Sequence, residues 1–152
     1  MGRDEGRQKV QTATQVKRSV FLDSSGWIAA AISGQTHHDE AKNAYTLAVR
    51  QGYRIVVTPM VLGESHALFL RMLGRAQAAS ALDSVLRDPT HVVLPVDGEL
   101  VKSSMARWVV PYRDQKFSIC DAVSFEIMQR EGITRAISID QHFVMAGFEI
   151  LG

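Results

Sequence analysis

Short apolar segments rich in β-branched residues alternate with longer helical segments, and this alternation limits the possible folds most strongly. Strands are predicted at residues 19–23, 54–58, 91–96 and 136–139, with a short last strand at 147–151. Helices are predicted at residues 25–33, 37–51, 59–73, 75–87, 97–109 and 118–132, counting the caps of the last two. This order indicates an α/β fold, in which a mostly parallel sheet of four to five strands is flanked by helices.

Residues that start or stop a helix set the limits of these predicted helices. Gly52 ends the second helix as a C-cap glycine does, and Pro59 suits the first position of the third helix. Ser118 is predicted to cap the last helix. Asp121 then occupies the third helical position, in a near capping box.

Length and composition predict one domain without a membrane segment. The chain has 152 residues, and no apolar run approaches the roughly 18 residues that a membrane span requires. Residues 1–18 lack the apolar stretch of a signal peptide, so they are predicted to be a flexible leader, and residues 19–152 to form the domain. The single cysteine, Cys120, fits a reducing, cytoplasmic setting and is interpreted as a small buried apolar residue.

Four acidic residues stand far apart in the chain, where strands end or helices begin. Asp23 and Asp140 follow predicted strands, and Asp121 lies in the first turn of a helix. Glu64 lies on the helix after the second strand. Because parallel α/β sheets bind ligands beyond the carboxyl ends of their strands, these side chains are predicted to share one cleft. Carboxylates brought together repel one another unless a cation or protons intervene, so the pattern indicates a divalent-metal site, favouring Mg²⁺, for chemistry on phosphates.

Each acid also has a simpler structural interpretation. Asp23 suits an N-cap, and Asp121 complements the dipole of its helix. Glu64 fits an ordinary surface charge, and Asp140 fits a turn. Their joint placement favours the shared site over four separate explanations.

Other polar residues are candidates for supporting roles. Ser24, Ser25 and Ser138 are predicted to hydrogen-bond to a phosphate or to a metal's water ligands, although capping explains them equally well. The five histidines lack the spacing of zinc ligands. His142, two residues after Asp140, is a candidate for the cleft rim, with an ordinary surface position favoured. A basic rim for a polyanionic substrate is predicted from Arg50, Arg54, Arg71, Arg75, Arg113 and Lys116.

Five ordered segments resemble the PIN-domain ribonucleases and, among them, the VapC-type toxins of bacterial toxin–antitoxin modules. They are F-L-D-S-S-G-W, H-H-D-E-A, T-P-M-V-L-G-E, Y-R-D-Q-K-F-S-I-C-D-A-V-S-F and S-I-D-Q-H-F. The resemblance runs from about Val20 to the last residue, so only the predicted leader lies outside it. It implies a doubly wound sheet that sets Asp23 beside Asp140.

The resemblance also implies an activity, a cofactor and partners. Asp23, Glu64, Asp121 and Asp140 match the acidic catalytic positions of the family, and Ser24 or Ser138 its hydroxyl positions. Asp23, Asp121 and Asp140 are the expected ligands of Mg²⁺ or Mn²⁺. RNA cleavage, a homodimer and a cognate antitoxin protein are expected, with apolar residues around Trp27, Met60 and Met72 in the protein contacts. Some family members carry a further acid where this chain has His142, which favours a single ion here.

Three alternatives remain open from the sequence. One is a non-catalytic PIN-like module that binds RNA or a partner, and another is an RNA-processing nuclease outside a toxin system. The third is phosphoryl chemistry on an aspartate, as in receiver domains or haloacid-dehalogenase phosphatases, both of which are α/β folds with an aspartate after a strand. This last class is disfavoured, because Ser25 stands where a D-x-D motif needs its second acid, and because no lysine follows Lys116.

Overall fold

The computed structural model describes residues 18–152; the predicted leader, apart from Arg18, lies outside the described residues. The strands are β1 (Ser19–Leu22), β2 (Arg54–Val57), β3 (His91–Val93), β4 (Arg135–Ile137) and β5 (Glu149–Ile150). The helices in this range are α1 (Ser24–Ala31), α2 (His38–Arg50), α3 (Pro59–Leu73), α4 (Arg75–Arg87), α5 (Gly98–Ser104), α6 (Ile119–Glu131) and α7 (Gln141–Met145). A π-helical turn, Met105–Val109, continues α5.

The five strands form one sheet in the order β3-β2-β1-β4-β5, and every pairing is parallel. The chain builds β2 and β3 on one side of β1 and then places β4 and β5 on the other. The strand order therefore reverses between β1 and β4, which is where open parallel sheets bind ligands. The predicted α/β class with a parallel sheet flanked by helices is confirmed.

The core lies around the central strand β1. Its residues Val20, Phe21 and Leu22 are fully buried, a continuous apolar run that suits a strand covered by helices on both faces. Phe143 of α7 stands edge-on to Phe125 of α6, with 5.0 Å between the ring centroids. None of the helices in residues 18–152 has the length and apolar character to cross a membrane.

Helix α6 is buried along most of its length, and its carboxylate at Glu126 is fully buried. Arg107 Nη1 donates to this carboxylate at 3.2 Å, Arg130 Nε at 3.1 Å and Trp108 Nε1 at 3.0 Å. The π-helical turn carries Arg107 and Trp108 as consecutive residues, and both side chains reach the same partner. Glu126 is thus a buried charge with two cations and an N–H group beside it.

Several local predictions differ from the structure. The third strand ends at Val93 rather than at residue 96. Helix α7 was not predicted; it forms because the side chain of Asp140 accepts a hydrogen bond from the backbone N–H of His142 at 2.9 Å and caps its first turn. Trp27 does not lie on a partner-binding surface, because it is only 5% exposed and packs edge-on to Phe69.

Candidate active site

The four predicted acids line one cleft of about 240 Å³ at the carboxyl end of the sheet. Asp23 follows β1, Glu64 projects from α3, Asp121 from the first turn of α6, and Asp140 follows β4. The remaining lining residues are Ser24, Ser25, Ile28, Ala29, Gln35, Leu68 and Ile139. The structure therefore brings together side chains that lie up to 117 positions apart in the sequence (140 minus 23).

Asp23 is the most buried of these acids, with 4% of its surface exposed. Ser25 Oγ donates to Asp23 Oδ2 at 2.6 Å, and Ser138 Oγ donates to the same oxygen at 3.0 Å. Burial raises the pKa of Asp23 from its ordinary value of 3.8 to about 6, with the negative charges of Asp121 and Asp140 adding to the rise and the two serines opposing it. This carboxylate is therefore costly to ionise without a nearby cation.

A close backbone contact at Gly26 holds the ends of β1 and β4 together. The carbonyl oxygen of Ile137 accepts from the Asp23 backbone N–H at 3.1 Å, and a Cβ on Gly26 would lie 2.2 Å from that oxygen. Only glycine fits this position without displacing the backbone. The glycine of the S-S-G segment thus allows Ser25 to reach Ser138 across the two strand ends, 3.1 Å apart at their hydroxyls.

Ser24, which lines the cleft, and the buried Cys120 are neighbours of Glu64. Ser24 Oγ donates a hydrogen bond to Glu64 Oε1, which ties the exposed carboxylate of α3 to the start of α1. Burial and the neighbouring carboxylate of Glu64 raise the pKa of the Cys120 thiol above its ordinary range. Cys120 is buried, in agreement with its interpretation as an apolar residue.

Asp121, Asp140 and His142 form a compact group on the other side of the cleft. His142 Nδ1 lies 3.0 Å from Asp121 Oδ2 and 3.7 Å from Asp140 Oδ2. Within residues 18–152, these three are the one group of three or more acidic, histidine or cysteine side chains whose potential ligand atoms all lie within 4.8 Å of one another. The predicted metal set of Asp23, Asp121 and Asp140 stays a prediction, and His142, 29% exposed, lies beside two of its members.

The predicted basic rim is wrong for two of its members. Arg54 begins β2, and Arg50 ends the helix that leads into β2. Both therefore lie at the amino end of the parallel sheet, opposite the cleft. Arg113 and Lys116 precede Ser118, the cap of α6, so they remain candidates for contacts beside Asp121.

Comparison with known proteins defines the class. The PIN domain model matches residues 20–149 of this chain. The chain is 30% identical over 133 residues to the 23S rRNA-specific endonuclease VapC20 of Mycobacterium tuberculosis, in strains CDC 1551/Oshkosh and ATCC 25618/H37Rv. The match covers 85% of this chain and 95% of each relative.

Solved structures agree with this result. The crystal structure of Mycobacterium tuberculosis VapC20, described as a sarcin-ricin loop cleaving toxin, has a TM-score of 0.75 and 30% identity to this chain. The structural match covers 86% of this chain and 96% of the VapC20 chain. The chain belongs to the PIN-domain family, and its similarity is to the VapC type within that family. The resemblance read from the five sequence segments is confirmed.

Proposed function

We propose that this chain is a divalent-metal-dependent endoribonuclease that hydrolyses RNA phosphodiester bonds, as the toxin of a toxin–antitoxin module. One observation carries the proposal: four carboxylates from four separate segments converge on a single cleft. The family match supports the class of reaction, and the convergence in the cleft supports these four residues as the ones that perform it.

The donor set of the cleft fits a hard divalent cation. Among the described residues that line it there is no lysine or arginine, so no resident cation balances the acids. Asp23, Asp121 and Asp140 would hold Mg²⁺ or Mn²⁺ through carboxylate oxygens, the ligands that these ions prefer. When bound, the ion supplies Lewis-acid stabilisation of charge on the scissile phosphate and a more acidic water nucleophile.

The side chains around the ion-binding acids have separable roles in this proposal. Ser25 and Ser138 orient the Asp23 carboxylate by donating to one of its oxygens, Oδ2. Glu64 is the most exposed of the four acids and is fixed by Ser24. Its exposure and its fixed position suit it to accept a proton from the attacking water.

The relatives suggest the substrate and the partners. VapC20 is named for cleavage of 23S rRNA, so a structured ribosomal RNA loop is the first substrate to test. A cognate antitoxin and a homodimer are proposed as protein partners, and the site of action is the cytoplasm, where such RNA is found. Leu70 and Met72, 44% and 43% exposed at the end of α3, offer apolar surface for a protein contact.

An RNA-cleavage assay with a matched pair of variants tests the activity. We expect wild-type protein to cut 23S rRNA with Mg²⁺ or Mn²⁺, EDTA to stop the reaction, and Asp121→Asn to slow it at least about a hundredfold. Asp83→Asn is the control, because Asp83 is an exposed acid of α4 paired with Arg87 at 3.0 Å, outside the cleft. RNA that binds but stays intact with every cation would replace the enzyme by the non-catalytic binding module.

A further inference from the structure

We propose that His142 Nδ1 is a metal ligand of this site together with Asp121 and Asp140, and that it makes the site prefer Mn²⁺ over Mg²⁺. The inference rests on the proposed metal-dependent function and adds to it the identity of the ion. It concerns one residue of this chain, the histidine that stands where the resemblance placed a further acid in some family members.

The imidazole of His142 is held with Nδ1 facing both carboxylates. Its backbone N–H donates to Asp140 Oδ1 at 2.9 Å, which fixes the start of α7 beside the cleft. Its ring stands edge-on to Phe117, with centroids 5.3 Å apart and an angle of 77° between the planes. The His142 side chain is 29% exposed, so this packing covers most of the ring. The imidazole is therefore constrained by its packing on Phe117 in addition to its contacts with the acids.

The separations among the ligand atoms suit a common ion. Adjacent ligands of an octahedral ion with bonds of about 2.1 Å lie roughly 3 Å apart, and opposite ligands about 4 Å apart. His142 Nδ1 lies 3.0 Å from Asp121 Oδ2 and 3.7 Å from Asp140 Oδ2, within that range. All three potential ligand atoms lie within 4.8 Å of one another, close enough to share one ion.

The nitrogen donor changes which ion the site selects. Mg²⁺ takes oxygen ligands almost entirely, whereas imidazole suits the first-row transition ions. Replacing a carboxylate by a neutral imidazole also removes one negative charge, which weakens the binding of both divalent ions, and only Mn²⁺, as a first-row transition ion, regains part of this through the nitrogen donor. A carboxylate at position 142 is expected to reverse this preference.

Pulsed electron paramagnetic resonance of Mn²⁺ bound to the full chain tests the ligand directly. We expect the electron spin-echo signal of wild-type protein to carry ¹⁴N modulation from a coordinated imidazole, and we expect His142→Asp and His142→Asn to lose it. Calorimetric titrations should give a ratio of Mn²⁺ to Mg²⁺ affinity that falls about tenfold or more in His142→Asp. A tenfold change is a modest expectation, because the loss of a residue that only contacts a metal ligand already lowers metal affinity about tenfold or more. His37→Asn is the control, since His37 is an exposed histidine with φ 64°, a conformation that asparagine tolerates.

The outcomes separate this inference from the proposed function. Mn²⁺ that binds wild-type protein without ¹⁴N modulation, or with modulation that persists in both His142 variants, overturns the histidine ligand. RNA cleavage by that same protein would leave the nuclease function intact. If wild-type protein binds neither ion and leaves RNA uncut, both proposals fail. The wild-type spectrum decides the matter even where a variant folds poorly.

Discussion

Two buried carboxylates of this protein, Asp23 and Glu126, stand in opposite electrostatic surroundings. Glu126 is fully buried and contacts Arg107, Arg130 and Trp108, so its charge is balanced within the protein. Asp23 is also buried, but its closest partners are the hydroxyls of Ser25 and Ser138, and its nearest charges are other acids.

The difference separates a charge that the protein balances itself from one that it leaves unbalanced. A buried ion is tolerated in a protein core when opposite charges and hydrogen bonds surround it. Around Glu126 the chain supplies them. Around Asp23 it supplies negative charge instead, which raises the pKa of Asp23 to about 6. An arrangement of this kind favours a cation from outside the chain, which agrees with the metal site proposed for this PIN domain.

The largest expected loss of stability comes from breaking the close contact at Gly26, which holds the ends of β1 and β4 together beside Asp23. In Gly26→Ala, the added methyl group would lie 2.2 Å from Ile137 O, so the ends of β1 and β4 must separate. We expect the free energy of unfolding to fall by about 3 kcal/mol or more, measured by urea denaturation. Gly63→Ala is the control, because Gly63 lies within α3 with no atom near its Cβ position, and we expect a gain of about 0.5–1 kcal/mol. Equal losses in the two variants would contradict the close contact.

The next largest loss of stability is expected when the charge of Glu126, which the protein balances with its own arginines, is removed. The Glu126 carboxylate accepts hydrogen bonds from two arginines and from the Trp108 N–H. In Glu126→Gln, a neutral amide takes its place and leaves the arginines without a negative partner. We therefore expect a loss of about 2 kcal/mol in unfolding free energy. RNA cleavage should be unchanged when measured below the new melting temperature, because Glu126 lies outside the cleft. A variant as stable as the wild type would mean that the two arginines contribute nothing to this site.

A smaller change, a gain in stability, is expected when Asp23 is replaced by asparagine and the protein is measured in EDTA. The folded-state pKa lies above the ordinary value, so the folded protein holds a proton longer as pH rises. The unfolding free energy of the wild type should therefore fall between about pH 4 and pH 6, and the full cost of the buried charge applies above pH 6. A rise of about two pKa units corresponds to about 3 kcal/mol of destabilisation by the buried charge. In Asp23→Asn this cost is removed, but burial of the asparagine amide offsets part of the gain. Asp23→Asn should gain about 1–2 kcal/mol at pH 7 and lose this pH dependence in denaturation curves. A destabilised variant with an unchanged pH profile would contradict the strained charge.

Local sequence patterns were sufficient to predict much of the fold and the converging acids. Short-range signals set the limits of three elements: the apolar run before Asp23, the proline at residue 59 and the Ser118 cap. Because each signal depends only on residues close in sequence, β1, α3 and α6 were predicted close to their observed limits. The carboxyl ends of β1 and β4 are adjacent because of the parallel strand order, which placed two of the acids together.

Other features depend on contacts between distant segments. Helix α7 has only five residues and begins at an aspartate that also suits a turn, so its pattern was too short to indicate a helix. The ring position of His142 depends on Phe117 and Asp121, more than 20 positions earlier in the chain (142 minus 121 is 21). The partners of Glu126 come from a π-helical turn that carries Arg107 and Trp108, and side-chain periodicity carries no signal for such a turn.

The stability response to Mn²⁺ tests most directly whether the cleft acids need an external cation. At an ion concentration about 100 times the dissociation constant, we predict that the unfolding free energy of wild-type protein rises by about 2.7 kcal/mol. Asp121→Asn should gain less than about 1 kcal/mol from the same Mn²⁺ concentration, each protein being compared with itself in EDTA. A wild-type protein that does not respond to Mn²⁺ or Mg²⁺, or an Asp121→Asn variant with the full response, would contradict the account.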